Sequence, residues 1–367
     1  MHGFHVVPEL QNHLARWVEE HFPGARLKAA RPLAPDTGAG ATGKAEGYGQ
    51  PLRLDLELAD GGIKTLVLRT QTANEFGHDR RADRAAGTLL AYDTFRLIPQ
   101  HIRALDVGAI RQGGRLLSLA DAGELYLLTE FARGEPYAQD LRRVGAAGEA
   151  SALDVRRAEA LALYLARLHQ RLPENRAAYR RSVRDLVGHG EGIFGIVDGY
   201  PSKVPAAPPE RLRRIEERCL QWRWRLRSFE QRLARIHGDF HPFNVLFQED
   251  TQFALLDASR GCQGDPADDV TAMAVNYVFF ALDARRAWSH GFGVLWRRFF
   301  DAYLGATGDR QMLEAAPPYF AWRALVVCNP RFYPSFSARG RDALLSLAEQ
   351  ALESEVFLPL SAEALFS

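Results

Sequence analysis

The stretch that most restricts what this chain can become is residues 235 to 247, R-I-H-G-D-F-H-P-F-N-V-L-F, with residues 253 to 257, F-A-L-L-D, shortly behind it. A loop crowded with two His, an Asp, a Pro and an Asn runs into an apolar strand, and a second apolar strand ends in Asp257. Two readings compete for the loop. In the first, His237, Asp239 and His241 alternate, so on an extended strand they would share one face as metal ligands could. A zinc centre needs three or four ligands in a defined shell, yet Pro242 follows at once and the other histidines form no second cluster. In the second, His237 to Asn244 is one pattern, H-G-D-x-x-x-x-N, which uses the Asp and the Asn together.

The remainder of the chain separates into a strand-rich first third and a helix-rich rest. Residues 8 to 21 place Leu10, Leu14, Trp17 and Val18 at helical spacing. Strands are predicted at 25–33, 52–58 and 64–70, the last two joined by a hairpin at Asp60-Gly61-Gly62. A helical pattern runs from about Glu75 to Phe95, and two more strands are predicted at A-L-D-V-G-A-I and L-Y-L-L-T-E-F, 104–110 and 125–131. Beyond Gly134 helices dominate. The clearest runs from Asp154 to His169, with Ala158, Leu161, Leu165 and Leu168 as its core stripe and Asp154 as its predicted cap. Residues 186 to 209, rich in Gly and Pro, predict an irregular connection, and the pattern after Val270 is helical to the end. The order predicts an α+β fold in two lobes, 1–131 with an antiparallel sheet and 132–367 built of helices.

Composition narrows the partners. At 367 residues and net charge +1, with 47% hydrophobic and 25% charged residues, the chain has no general electrostatic pull on nucleic acid or anionic membrane. No run of about 18 uncharged apolar residues suggests a membrane span. Three scattered cysteines suggest neither a disulfide framework nor a zinc knuckle, so a reducing cytoplasm is expected. Only Lys28, Lys44, Lys64 and Lys203 are lysine among the 46 basic residues, so arginine can stand where lysine is usual. The stretch Gly38 to Ala45, G-A-G-A-T-G-K-A, approaches a P-loop but has Ala45 where a magnesium-binding hydroxyl is needed, and strand sequence rather than a helix follows.

The loop pattern, the strand ending in Asp257, and G-D-P-A-D-D-V at Gly264 to Val270 occur together and in order. On these motifs the chain resembles the aminoglycoside phosphotransferase and choline kinase-like family over nearly its whole length. The resemblance implies a bilobal protein-kinase-like fold and an enzyme that uses ATP and magnesium to move the γ-phosphate to a hydroxyl of a small molecule. It implies Asp239 as the catalytic base, Asn244 and Asp257 as metal ligands, and His237 and Asp269 as supports of the loop, His237 through the backbone near Asp257. It also implies that loop 36–49, with Lys44, covers the phosphates, and that Glu130, Phe131 and Ala132 form the hinge that meets adenine. The chemistry suits these residue types: magnesium takes oxygen ligands and keeps waters, and phosphoryl transfer asks the protein for positioning and charge neutralisation.

Three positions depart from the family, Phe243 being one, where a small residue is common. Arg69 stands where the nucleotide-contacting lysine is usual, and its helix partner is Asp83 or Asp79 in place of glutamate. Arginine forms bidentate bonds that lysine cannot, so the pair is readable as a compensated swap, with Lys64 and Lys44 as other candidates. It is equally readable as a sign of a nucleotide-binding pseudokinase or regulatory module. After Thr271 the acids are matched in number by arginines and aromatic residues are plentiful, which favours a neutral, singly charged or anionic acceptor over a polycation.

Overall fold

The computed structural model describes residues 8–33, 51–258, 260–284 and 287–366, and divides into two compact units, Met1–Thr129 and Glu130–Ser367. Lys44 and loop 36–49 lie outside the described residues.

In the N-terminal unit, helix α1 (Pro8–His21) precedes the antiparallel strands β1 (Arg26–Pro32), β2 (Leu52–Glu57) and β3 (Ile63–Leu68), paired in the order β1-β2-β3. The alternation of β2 explains the packing. Leu52, Leu54 and Leu56 turn inward onto Leu10, Leu14 and Val18, while Arg53, Asp55 and Glu57 face the other way. Cross-strand pairs Lys28–Glu57 and Arg31–Asp55, 2.9 and 3.0 Å, line that outer face. The β2–β3 turn closes where Gly62 donates to Asp60 Oδ1 at 2.9 Å. Helix α2 (Arg81–Phe95) starts later than the sequence pattern suggests and has no buried residue. A two-stranded ladder, β4 (Gly108–Ile110) with β5 (Leu116–Ser118), completes the unit.

The strand predicted at 125–131 is not formed. Residues 122–133 have no regular structure, and Tyr126 and Phe131 are 92% and 90% exposed. An apolar run becomes a strand only beside a strand that takes its hydrogen bonds, and none among the described residues pairs with this one.

The C-terminal unit holds β6 (Glu135–Pro136), α3 (Tyr137–Ala147), α4 (Ala152–Leu168), α5 (Arg176–Gly188), α6 (Ile193–Asp198), α7 (Pro209–Arg225), β7 (Ala234–Arg235), β8 (Val245–Phe247), β9 (Phe253–Leu255), β10 (Gln263–Gly264), α8 (Ala267–Ala284), α9 (Gly293–Thr307), α10 (Gln311–Cys328) and α11 (Ala338–Glu353). The connection at 186–209 is irregular over most of its length, interrupted by the last turn of α5 and by the short α6. The cap of α4 is Ser151, not Asp154: Asp154 sits three residues in, accepts from Ser151 N at 2.8 Å, and closes a capping box. Helices α8 and α10 are buried around nearly their whole circumference, as apolar sequence on every face requires.

Five short strands frame the site. β7 pairs with β10, and β8 pairs with both β6 and β9, all antiparallel. Both segments of the opening stretch are therefore tied down at each end. Loop 236–244 spans from β7 to β8, and loop 256–262 spans from β9 back to β10.

Candidate active site

The two loops meet through main-chain bonds. Ile236 N donates to Cys262 O at 3.2 Å, and Leu256 N donates to Asn244 O at 2.9 Å. Gly238 has φ +83°, and a Cβ there would lie 2.9 Å from Gly261 O. Glycine is thus required twice over at this position, by the left-handed backbone and by the close approach of the second loop.

Each carboxylate of G-D-P-A-D-D-V has a separate partner. Asp265, fully buried, accepts from Arg232 Nε at 2.9 Å, Arg232 Nη2 at 3.1 Å and Tyr179 Oη at 2.9 Å. Asp268 accepts from Arg323 Nη2 at 2.6 Å. Asp269, also fully buried, accepts from His237 N at 2.7 Å and Gly238 N at 2.8 Å, and lies 3.1 Å from His169 Nε2. Burial alone would raise the Asp269 pKa, but the bonds from His169 and the loop backbone outweigh it and lower the pKa. Burial pushes Asp268 the other way, against the pull of Arg323, up to about 6.

Asp239 lies at the centre. Its Oδ1 accepts from Arg323 Nη1 at 2.7 Å and pairs with Arg260 Nη2, while its Oδ2 lies 3.4 Å from His241 Nε2. Phe243 N donates to His241 Nδ1 at 3.2 Å, so the proton of the neutral ring is on Nε2, facing Asp239. Burial would raise the Asp239 carboxyl, yet the His241 bond and the two guanidiniums hold it well below the usual carboxylate range.

Among the described residues His237 makes no ring bond to the backbone near Asp257; its Nδ1 accepts from Asp239 N at 3.3 Å, within its own loop. Asn244 Nδ2 donates to Asp239 O at 3.1 Å, which leaves Oδ1 as the amide atom available to a cation. Asp257 is exposed, has φ +52°, and makes no hydrogen bond or ion pair among the described residues. An amide oxygen and an unpartnered carboxylate on adjoining loops are the donor types magnesium prefers. Among the described residues no group of three or more His, Cys, Asp or Glu could hold a metal, which removes the His237–Asp239–His241 metal reading.

Of the other sequence-derived residues, Arg69, Asp83 and Lys64 lie in the N-terminal unit, and Glu130, Phe131 and Ala132 lie at the start of the C-terminal unit. Arg69 is exposed just beyond β3, and no ion pair joins it to Asp83 among the described residues; Asp83 instead accepts from Arg80 N at 2.9 Å at the start of α2. Lys64 stacks over the Phe22 ring at 4.7 Å. Glu130 and Phe131 are exposed and Ala132 is half-buried, all in irregular chain. Conversely, Arg260, Arg323, Asp268 and His169 were not singled out in the sequence. Asp268 is the neighbour of a motif residue, whereas Arg323 lies on a helix 84 residues from Asp239 and has no local signal.

A glycine-backed loop, a buried carboxylate that holds its backbone and an aspartate kept ionised by its neighbours thus lie together in the C-terminal unit. The phosphotransferase enzyme family model matches residues 57–315, more than half of the sequence, and the chain belongs to that family. Solved structures with detectable likeness include a glucosamine kinase in crystal form B, at 19% identity over 59% of either chain and TM-score 0.37. The chain thus spans 59% of that kinase's length. A choline kinase from Cryptosporidium parvum Iowa II matches at 10% identity over 96% of either chain, TM-score 0.39. A macrolide 2'-phosphotransferase type I matches at 16% identity over 95% of this chain and 98% of its own, TM-score 0.31. None of the curated proteins compared matches the chain. The chain is thus a member of the phosphotransferase enzyme family with an α+β architecture.

Proposed function

We propose that the chain is an ATP- and magnesium-dependent kinase that transfers the γ-phosphoryl group to a hydroxyl of a small molecule, with Asp239 as the base. The observation that carries this reading is the Asp239 carboxylate, held ionised by its neighbours on a loop whose backbone is hydrogen-bonded to buried Asp269. An aspartate in that state orients the acceptor hydroxyl and takes its proton as the new oxygen–phosphorus bond forms and the bond to ADP breaks. His241 and Arg323 keep the carboxylate in one orientation, so the proton acceptor is in place before the acceptor arrives.

Asn244 Oδ1 and Asp257 would hold magnesium, which when bound neutralises charge on the phosphates. Arg69 and Lys44, with Asp83, are proposed for the phosphates by family resemblance, and Glu130, Phe131 and Ala132 for adenine. The test is magnesium-dependent ADP release by the full chain across amino alcohols, sugars and aminoglycosides. At least one class should give saturable turnover. Asp257→Asn, which keeps a residue tolerant of the left-handed backbone, should weaken binding of the magnesium nucleotide. Nucleotide binding with no acceptor-dependent ADP release would return the chain to the pseudokinase reading.

A further inference from the structure

The core does not use up all the rings beside Asp239. Phe243 follows Pro242 on the aspartate loop, and its ring lies 5.8 Å from that of His241, whose Nε2 faces Asp239. It also lies 6.5 Å from the ring of Tyr333, just beyond α10. Tyr333 is backed by buried Phe279 at 5.0 Å, and Phe279 by buried Phe336 at 4.9 Å. Phe243 and Tyr333 themselves are half-buried, so each leaves part of its ring to solvent. The backbone of Tyr333 is held from both ends: its N donates to Asn329 O at 3.1 Å, and its O accepts from Nη2 of buried Arg341 at 2.6 Å. Its hydroxyl makes no hydrogen bond among the described residues, and burial and the Asp239 charge raise its pKa, so it stays a neutral donor.

Arg142 sets the charge of this surface. Ala138 N donates to Pro242 O at 3.2 Å, which docks the first turn of α3 on the aspartate loop. Arg142, four residues on, carries its guanidinium to 5.7 Å from the Phe243 ring centre. It is exposed and pairs with no carboxylate among the described residues. Two aromatic faces near a carboxylate would suit an ammonium group through cation–π attraction. Here, however, a guanidinium already lies over Phe243, and Arg260 and Arg323 are bonded to Asp239, so an added cation meets three like charges. What remains favourable is burial of apolar surface against the rings.

We propose that Phe243 and Tyr333 are the specificity surface for the acceptor. An alcohol without an ammonium group lays an apolar ring face on them while its hydroxyl meets Asp239, and Arg142 turns cations away. This rests on Asp239 being the base and adds the acceptor class. A phenyl ring and the C–H face of a hexose ring share that chemistry, and the probes separate them.

The probes are 3-phenyl-1-propanol and methyl glucoside as ring-bearing alcohols, glycerol as an alcohol without an apolar face, and choline as the cation. Binding to the full chain with magnesium and ADP is measured by calorimetry, and phosphoryl transfer from ATP is measured in parallel. At least one ring-bearing probe should bind saturably and more tightly than glycerol and choline. Tyr333→Ala and Phe243→Ala should each weaken that binding about 10-fold, the order expected for a lost aromatic contact. Both should raise KM far more than they change kcat. Tyr333→Phe, which keeps the ring, should retain most of the affinity, and ADP binding reports that each variant is folded. Tighter binding of choline than of either ring-bearing probe, no ring-bearing probe bound, or alanine variants that bind as the parent does would each overturn the proposal. Transfer to glycerol or choline alone overturns it while leaving the kinase reading intact. Tyr333-dependent binding of a ring-bearing probe without transfer to any probe does the reverse.

Discussion

Two arginine–aspartate neighbourhoods in this molecule follow opposite rules. In the N-terminal unit Arg69 is open to solvent and Asp83 is occupied with the first turn of α2, so the two carry opposite charges without forming a pair. In the C-terminal unit Arg323 emerges from buried α10 and reaches Asp239 and Asp268 together. The difference is one of solvent. An exposed pair gains at most about 1 kcal/mol, so water competes on equal terms. A buried guanidinium stripped of its carboxylates costs several times that, roughly 3–5 kcal/mol, so the fold must supply partners wherever it buries one.

The largest expected effect strikes the buried neighbourhood at its centre. Asp239→Asn removes the proton acceptor and should cut phosphoryl transfer by a factor on the order of 10² to 10⁴. Nucleotide affinity, measured by titration, should hardly change. Wild-type turnover in this variant would dissolve the distinction between the two neighbourhoods as far as chemistry is concerned.

A smaller effect should follow from Arg323→Gln, and its signature lies in pH. Asp239 has a depressed pKa in the folded protein, so its contribution to stability is present above the ordinary carboxylate value near about 4 and is lost as pH falls through the folded value. Without Arg323 the folded value moves up. The acid limb of kcat/KM should then shift to higher pH, and the deficit in Tm against wild type should narrow as pH falls below the variant's own folded value. An acid limb that stays in place would mean that Arg323 serves packing alone.

The smallest effect is predicted for the exposed neighbourhood. A double-mutant cycle of Arg69→Ala and Asp83→Asn, read by Tm, should show coupling within a few tenths of a kcal/mol, as for groups that share no contact. Asp83→Asn alone should fray the start of α2. A coupling above about 1 kcal/mol would show that the two residues pair in solution and would erase the contrast.

Legibility in the sequence followed the same division. The helix at 8–21 and the strands of β1, β2 and β3 were readable because Leu10, Leu14, Val18, Leu52, Leu54 and Leu56 repeat at the periods of their elements. The loop residues were readable because they form local motifs. Arg323 was not, since a buried arginine in α10 reads only as one charge among apolar neighbours and its partners arrive by tertiary packing. Asp154 was misplaced as a cap because Ser151, three residues earlier, satisfies the same helix end jointly with it. The run at 125–131 misled for a related reason: strand formation depends on a neighbour that the run itself does not encode.

The crossing of the two loops has a practical consequence in chemical reactivity. Cys219 and Cys328 are buried, and burial pushes both thiols well above their ordinary range, whereas Cys262 is exposed on the loop that carries Arg260. The thiolate is the form that alkylating reagents attack, and a buried thiol is both shielded and reluctant to ionise. A maleimide dye added to the native protein should therefore label one position without any engineered cysteine. That position is two residues from Arg260, and its carbonyl receives the hydrogen bond from Ile236 at the root of the aspartate loop. The fold thus presents a single natural attachment point for a reporter dye, on the loop that carries Arg260.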